Sequence, residues 1–130
     1  MDIASHRYAD VAVVAPLGRL DYGNAGDLER TLAPLLEAVP TAPVGVVIDC
    51  AGIDYISSIG LRALLIAAKA MRARSGRIAA AGLQPVVAEI FAISRFQNVV
   101  EVFDTPAAAL ASMSAAALAA FETSTGAARS

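Results

Sequence analysis

Two adjacent serines, Ser57 and Ser58, stand between an apolar run, Val44-Gly45-Val46-Val47-Ile48, and a later apolar stretch of helical period. That order reads as strand, loop and helix, with the serines at the helix entrance. A serine oxygen at such a place can accept a hydrogen bond from a free N–H of the first turn. The same N–H groups and the helix dipole favour negative charge there. Each serine therefore has two uses open to it: a cap, or a hydroxyl that carries a phosphate with little strain. Capping is the commoner use of serine at this place.

Other chemistry is poorly supplied. A serine hydrolase needs a base beside its nucleophile, and the one histidine, His6, lies far from Ser58 in sequence. No Gly-x-Ser-x-Gly surrounds Ser58, and neither a phosphate loop nor a dinucleotide fingerprint occurs. One cysteine and one histidine do not make a usual structural zinc site, so Cys50 reads as a small buried hydrophobe. Asp21, Asp49 and Asp54 could in principle hold a hard cation, but their spacing matches no calcium loop, and caps and turns are the preferred reading. The expectation is a protein that is not an enzyme and uses no metal or cofactor of its own.

Composition narrows the partners. The net charge of −2 gives no basic field for nucleic acid or acidic lipid. No apolar run approaches the ~18 residues of a membrane span. Met1-Asp2-Ile3-Ala4-Ser5-His6-Arg7 lacks the basic start and apolar segment of a signal peptide. A single cysteine allows no internal disulfide. A cytoplasmic protein is the default expectation.

The elements that must position the serines follow from the apolar pattern. Residues 3–8 are weakly strand-like and Val11–Ala15 more clearly so, with Ala9-Asp10 as a tight hairpin between them. The first strand is thus expected at an antiparallel edge. Pro16 and Gly18 end the second strand. A helix is predicted over 24–38, capped by Asp21 or Asn24 and bent or broken near Pro34, because an interior proline removes a helical hydrogen bond. Pro40 and Pro43 mark the next loop. Val44–Cys50 is apolar throughout, as in a central parallel strand. Leu61, Leu64, Leu65, Ala68 and Met71 give the next helix its apolar face, which ends near Ser75-Gly76. Further elements are a strand at 78–81, a helix opened by Pro85, a last strand at 99–103 and an alanine-rich helix over 106–120. The alternation gives an α/β fold with a mostly parallel sheet, an antiparallel N-terminal edge strand and about four helices. Residues 1–121 form one domain, and 122–130 read as a mobile tail. Ligands and partners meet the carboxyl ends of strands in such sheets, so Asp21, Asp49, the serine loop and Gly82 are expected to share one edge.

Ile48-Asp49, a short loop, and Ser57-Ser58-Ile59-Gly60-Leu61-Arg62-Ala63-Leu64-Leu65 resemble the STAS domain of bacterial anti-sigma factor antagonists. Gly18-Arg19-Leu20-Asp21 resembles the same family's Gly-x-Leu-Asp, and the resemblance runs from about Val11 to Leu110. It implies a phosphorylation-controlled switch. The unphosphorylated protein would sequester a serine-kinase anti-sigma factor, and a phosphoserine phosphatase would reset it. ATP would be bound by the partner kinase. The acceptor would be Ser58, two residues before Gly60. Ser57 stands where many members have aspartate and is a rival acceptor; Ile59 stands where a small residue is commoner. The partner-binding set would be Asp21, Ser57, Ser58, Gly60 and Arg62, with Arg62 near the phosphate. Similar domains also serve as unphosphorylated scaffold subunits of transporter or regulatory complexes, which is the alternative.

Overall fold

The computed structural model describes residues 2–37 and 44–129; the loop expected at Pro40 and Pro43 lies outside them. Strands β1 (Ile3–Tyr8) and β2 (Val11–Pro16) form the expected hairpin. The chain then makes β3 (Gly18–Leu20), α1 (Ala25–Glu37), β4 (Gly45–Asp49), β5 (Ile53–Ile56) and α2 (Ser58–Ala73). It continues through β6 (Arg77–Ala81), α3 (Pro85–Ile93), a 3-10 turn at Phe96–Asn98, β7 (Glu101–Phe103), α4 (Pro106–Met113) and α5 (Ala115–Arg129).

The main sheet has the order β1-β2-β4-β6-β7. Only β1 is antiparallel to its neighbour. Side chains alternate between sheet faces with period two, and the buried residues divide the same way. Ala12, Val14, Val46, Ile48, Ile78 and Ala80 face Leu28, Leu32, Leu64, Met71 and Phe91 of α1, α2 and α3. Val11, Val13, Val47, Ala79 and Ala81 face Ala109, Leu110 and Ala117 of α4 and α5. The strands are apolar in both parities because both faces are covered.

Four features depart from the sequence reading. First, β3 and β5 pair in parallel as a separate two-stranded sheet. Both are too short to show a period, and the loop expected around Asp54 and Tyr55 is the strand β5. Second, α1 runs through Pro34 to Glu37 as one helix. Pro34 lies in the last turn and is exposed, so the single missing donor disturbs little of the helix. Third, the alanine-rich helix is two helices. Ser114 has extended backbone, ends α4 and caps α5: its Oγ accepts from the Ala117 N–H at 3.1 Å and donates to Asp10 Oδ1 at 2.5 Å. The α-helices among the described residues thus number five, and α5 extends into the stretch read as a tail. Fourth, the last strand is only Glu101–Phe103, since the Val99 and Val100 N–H groups both bond back to the Phe96 carbonyl of the 3-10 turn.

Candidate functional site

The site is built on the small β3–β5 sheet. Leu20, Ile53 and Ile56 bury their side chains almost completely and anchor both strands to the core below. The Leu20 carbonyl accepts a hydrogen bond from the Ser57 N–H at 2.9 Å. That bond ties the end of β3 to the entrance of α2 and brings Asp21 beside the serines.

Gly60 explains how closely α2 sits. A methyl group at its Cβ position would lie 2.8 Å from the Leu20 carbonyl oxygen and 2.8 Å from Ile56 Cγ1. Only the missing side chain lets the first turn lie on the two strands. Gly60 is buried, so its part in any partner surface is to set the height of the neighbouring residues.

The two serines play different parts. Ser57 is the cap: its backbone is extended, and its Oγ accepts from the Gly60 N–H at 3.3 Å. Its carbonyl accepts from the Leu61 N–H at 2.9 Å. Ser58 is the first residue of α2, and its side chain is exposed. The N–H groups of Ser58 and Ile59 open the helix and have no intrahelical acceptor. Arg62 lies one turn further on, exposed, with no hydrogen bond or ion pair to the described residues.

Asp21 is a turn residue. Its Oδ1 accepts from the Gly23 N–H at 3.0 Å, and its carbonyl, not its carboxylate, receives the Ala25 N–H that starts α1. Asn24 braces the same turn, accepting from the Asp21 N–H at 2.8 Å and donating to the Arg19 carbonyl. The other carboxylate oxygen of Asp21 lies 3.6 Å from Arg19 Nε, and the Arg19 guanidinium lies 4.4 Å above the Tyr55 ring. These are exposed contacts, modest in energy.

Asp49 and Gly82 form a second group. Asp49 Oδ1 accepts from the Ala51 N–H at 3.1 Å, and Gly82, in left-handed backbone at φ 69°, packs against Asp49 and Ala51. Gln84 Nε2 donates to the Ala51 carbonyl at 2.7 Å. This group lies at the carboxyl edge of the main sheet. Ser57 follows it in the chain by way of the turn at Cys50–Ile53 and the four residues of β5, and the Leu20–Ser57 bond puts Asp21 with the serines. No group of three or more His, Cys, Asp or Glu side chains able to hold a metal occurs among the described residues. Cys50 is buried, and burial, assisted by the charge of Asp49, pushes its thiol up to about 12. A thiol held protonated in this way is not a nucleophile.

Tyr22, next to Asp21, is 86% exposed, and Ile59, next to Ser58, is 41% exposed. The sequence shows Ile59 as a departure from the family's small residue, and its exposure is what the structure adds. Tyr22 escaped the sequence reading, because an aromatic next to an aspartate in a turn gives no periodic signal.

The STAS domain model matches residues 2–109. The chain belongs to the STAS domain family. Within that family, BtrV of Bordetella bronchiseptica, which carries the name of an anti-sigma factor antagonist, is 37% identical over 93 residues. The match covers 72% of this chain and 80% of BtrV. Among solved STAS-fold structures, the phosphorylated form of the Bacillus cell fate determinant SpoIIAA superposes with a TM-score of 0.65 at 14% identity. It covers 84% of this chain and 96% of that one. A sulfate transporter family protein from Wolinella succinogenes superposes with a TM-score of 0.69 at 18% identity, covering 88% and 89%. At such identities the structures share a fold, while function has to be argued from the site. No helix among the described residues is long and apolar enough to cross a membrane.

Proposed function

We infer that this STAS domain is a cytoplasmic anti-sigma factor antagonist whose binding of a serine-kinase anti-sigma factor is switched by phosphorylation of Ser58. The observation that carries the reading is the division of labour between the serines. Ser57 spends its oxygen on the cap, while Ser58 presents an unengaged hydroxyl at the first position of a helix. Phosphate there meets two free N–H groups and the positive end of the dipole. Arg62, one turn on, can reach back to it with a charge-assisted hydrogen bond.

The kinase holds the ATP, and a separate phosphatase removes the phosphate. The partner covers Asp21, Ser57, Ser58 and Arg62, with Tyr22 and Ile59 as its apolar footholds. A new dianion under that partner is poorly desolvated, so the complex dissociates without any change of fold. Binding, not catalysis, is the activity.

A scaffold role, as a subunit of a transporter or regulatory complex, is the second reading. A groove of about 430 Å³ between α1 and α2, lined by Leu32, Ala63, Ile66 and Ala67 among others, favours it, since a permanent partner helix would fit such a surface. The test is a pull-down followed by intact-mass measurement of the recovered protein. A kinase partner and a gain of ~80 Da, one phosphate, support the switch. A stable transporter subunit and unmodified mass support the scaffold.

A further inference from the structure

Strand β1 is an open edge. Its hairpin partner β2 covers one side and α5 meets one face at Tyr8 through Phe121, while Ala4, Ser5, His6 and Arg7 are all exposed. Proteins usually blunt such edges with short strands, lysine, proline or bulges. The opposite edge, β7, is only three residues long. By contrast, β1 has six residues, no lysine, no proline and no register shift against β2.

The register tells which backbone groups face outward. Tyr8 and Val11 flank a two-residue turn and form its closing hydrogen-bonded pair. Bonded and non-bonded pairs alternate from there, so Tyr8, His6 and Ala4 bond to β2. Two observations agree with this parity. Pro16, which has no N–H, falls opposite Ile3 on a non-bonded pair, and the Leu17 N–H bonds to the Asp2 carbonyl at 2.9 Å. The outward set is then Ile3, Ser5 and Arg7.

We propose that the chain forms a two-fold dimer in which β1 pairs antiparallel with β1 of a second copy, centred on Ser5, to give a continuous ten-stranded sheet. The set is its own complement. A two-fold axis at Ser5 places Ser5 opposite Ser5 of the second copy and Ile3 opposite Arg7, so every pair made by the outward set is a hydrogen-bonded pair. It also sets Ala4 opposite His6. No like charges face one another, which is what a copy of the same strand requires. The other registers that keep this parity engage fewer residues. The surface shares no residue with the Ser58 site, so both can be occupied together.

The experiment is sedimentation velocity across micromolar to millimolar protein, with two variants. The wild-type mass should rise with concentration toward twice the 13.3 kDa of one chain. Ser5→Pro removes an outward N–H and places a ring in the interface while leaving every bond to β2 in place. It should stay at the mass of one chain with an unchanged circular dichroism spectrum. The double variant Ala4→Cys/His6→Cys should form an intermolecular disulfide on mild oxidation, because Ala4 faces His6 of the second copy in a non-hydrogen-bonded pair with Cα atoms about 4.5 Å apart, where the Cβ atoms come close enough for a disulfide, and Cys50 is buried. A wild-type mass of one chain at every concentration overturns the proposal, as does a dimer that Ser5→Pro leaves intact. If Ser5→Pro loses its folded spectrum, the cysteine variant decides, and the absence of a cross-link rejects the dimer.

Discussion

At the scale of single residues, the Ser57 oxygen holds the Gly60 N–H and the Ser58 oxygen holds nothing. The two alanine substitutions should therefore differ in kind. Ser58→Ala should abolish phosphorylation by a cognate kinase while leaving kinase binding and the unfolding midpoint almost unchanged. Ser57→Ala should keep the phosphate on residue 58 but lose about 1 kcal/mol of stability, the usual worth of such a cap. Phosphopeptide mapping and urea denaturation of both variants check this; phosphate found on Ser57 refutes the assignment. Tyr22 offers a second contrast. At 86% exposure it packs on nothing here, so Tyr22→Ala should leave stability unchanged. If it is a foothold for the kinase, its loss costs about 2 kcal/mol of binding, roughly a thirtyfold weaker dissociation constant by calorimetry. Asp21→Ala is less clean, since Asp21 also accepts from the Gly23 N–H. It should weaken binding or phosphorylation with the spectrum of a folded domain.

At the scale of elements, the first turn of α2 rests on β3 and β5 through Gly60. Gly60→Ala sets a methyl against the Leu20 backbone, which cannot rotate away as a side chain can. The expected cost is ~1–3 kcal/mol, read as a lower denaturation midpoint, although alanine is the better helix former. A midpoint raised by the substitution would show that α2 can lift off the strands freely. The same junction marks the limit of what was legible in the sequence. The apolar run at β4, the leucine face of α2 and the hairpin at Ala9-Asp10 were visible because they are long or carry turn chemistry. The strands β3 and β5 were not, for two buried positions in a four-residue segment match a loop as well as a strand. Missing β5 also hid that a strand, and not only a loop, lies between Asp49 and Ser58 in the chain. The break between α4 and α5 was hidden for a different reason: alanine favours helix on both sides, and the break lies in the extended backbone of Ser114, whose Oγ caps α5 and bonds to Asp10.

At the scale of the molecule, the sheet and the helix α4 are joined by one fork. Arg77 on β6 donates to both oxygens of Glu101 on β7, at 2.9 and 2.7 Å, and to the Ser112 carbonyl and hydroxyl of α4. The hydrogen bonds from Arg77 hold the Glu101 carboxyl below the usual carboxylate range, against a smaller opposing effect of burial. The contribution to stability is accordingly present above the ordinary glutamate range and is lost as pH falls through the lowered value of the folded state. The side chains are 38% and 46% exposed, so solvent screens the pair. Glu101→Gln should cost no more than about 1 kcal/mol at neutral pH, and the difference from wild type should vanish in acid. A pH series of urea midpoints tests it; a difference that grows in acid contradicts the sign.

The small β3–β5 sheet has one further consequence, which concerns cells that keep several copies of such a domain. The cores on both faces of the main sheet set the fold, and none of their residues is Tyr22, Ser58, Ile59 or Arg62. Mutational drift in those four positions thus meets little resistance from folding. Duplicated chains can exchange a foothold, acquire a clash with the wrong kinase and part company within a few substitutions. Under the proposed function, parallel signalling lines would then be insulated from cross-talk by four exposed residues that follow the ends of one short ribbon, while the body of the domain stays the same.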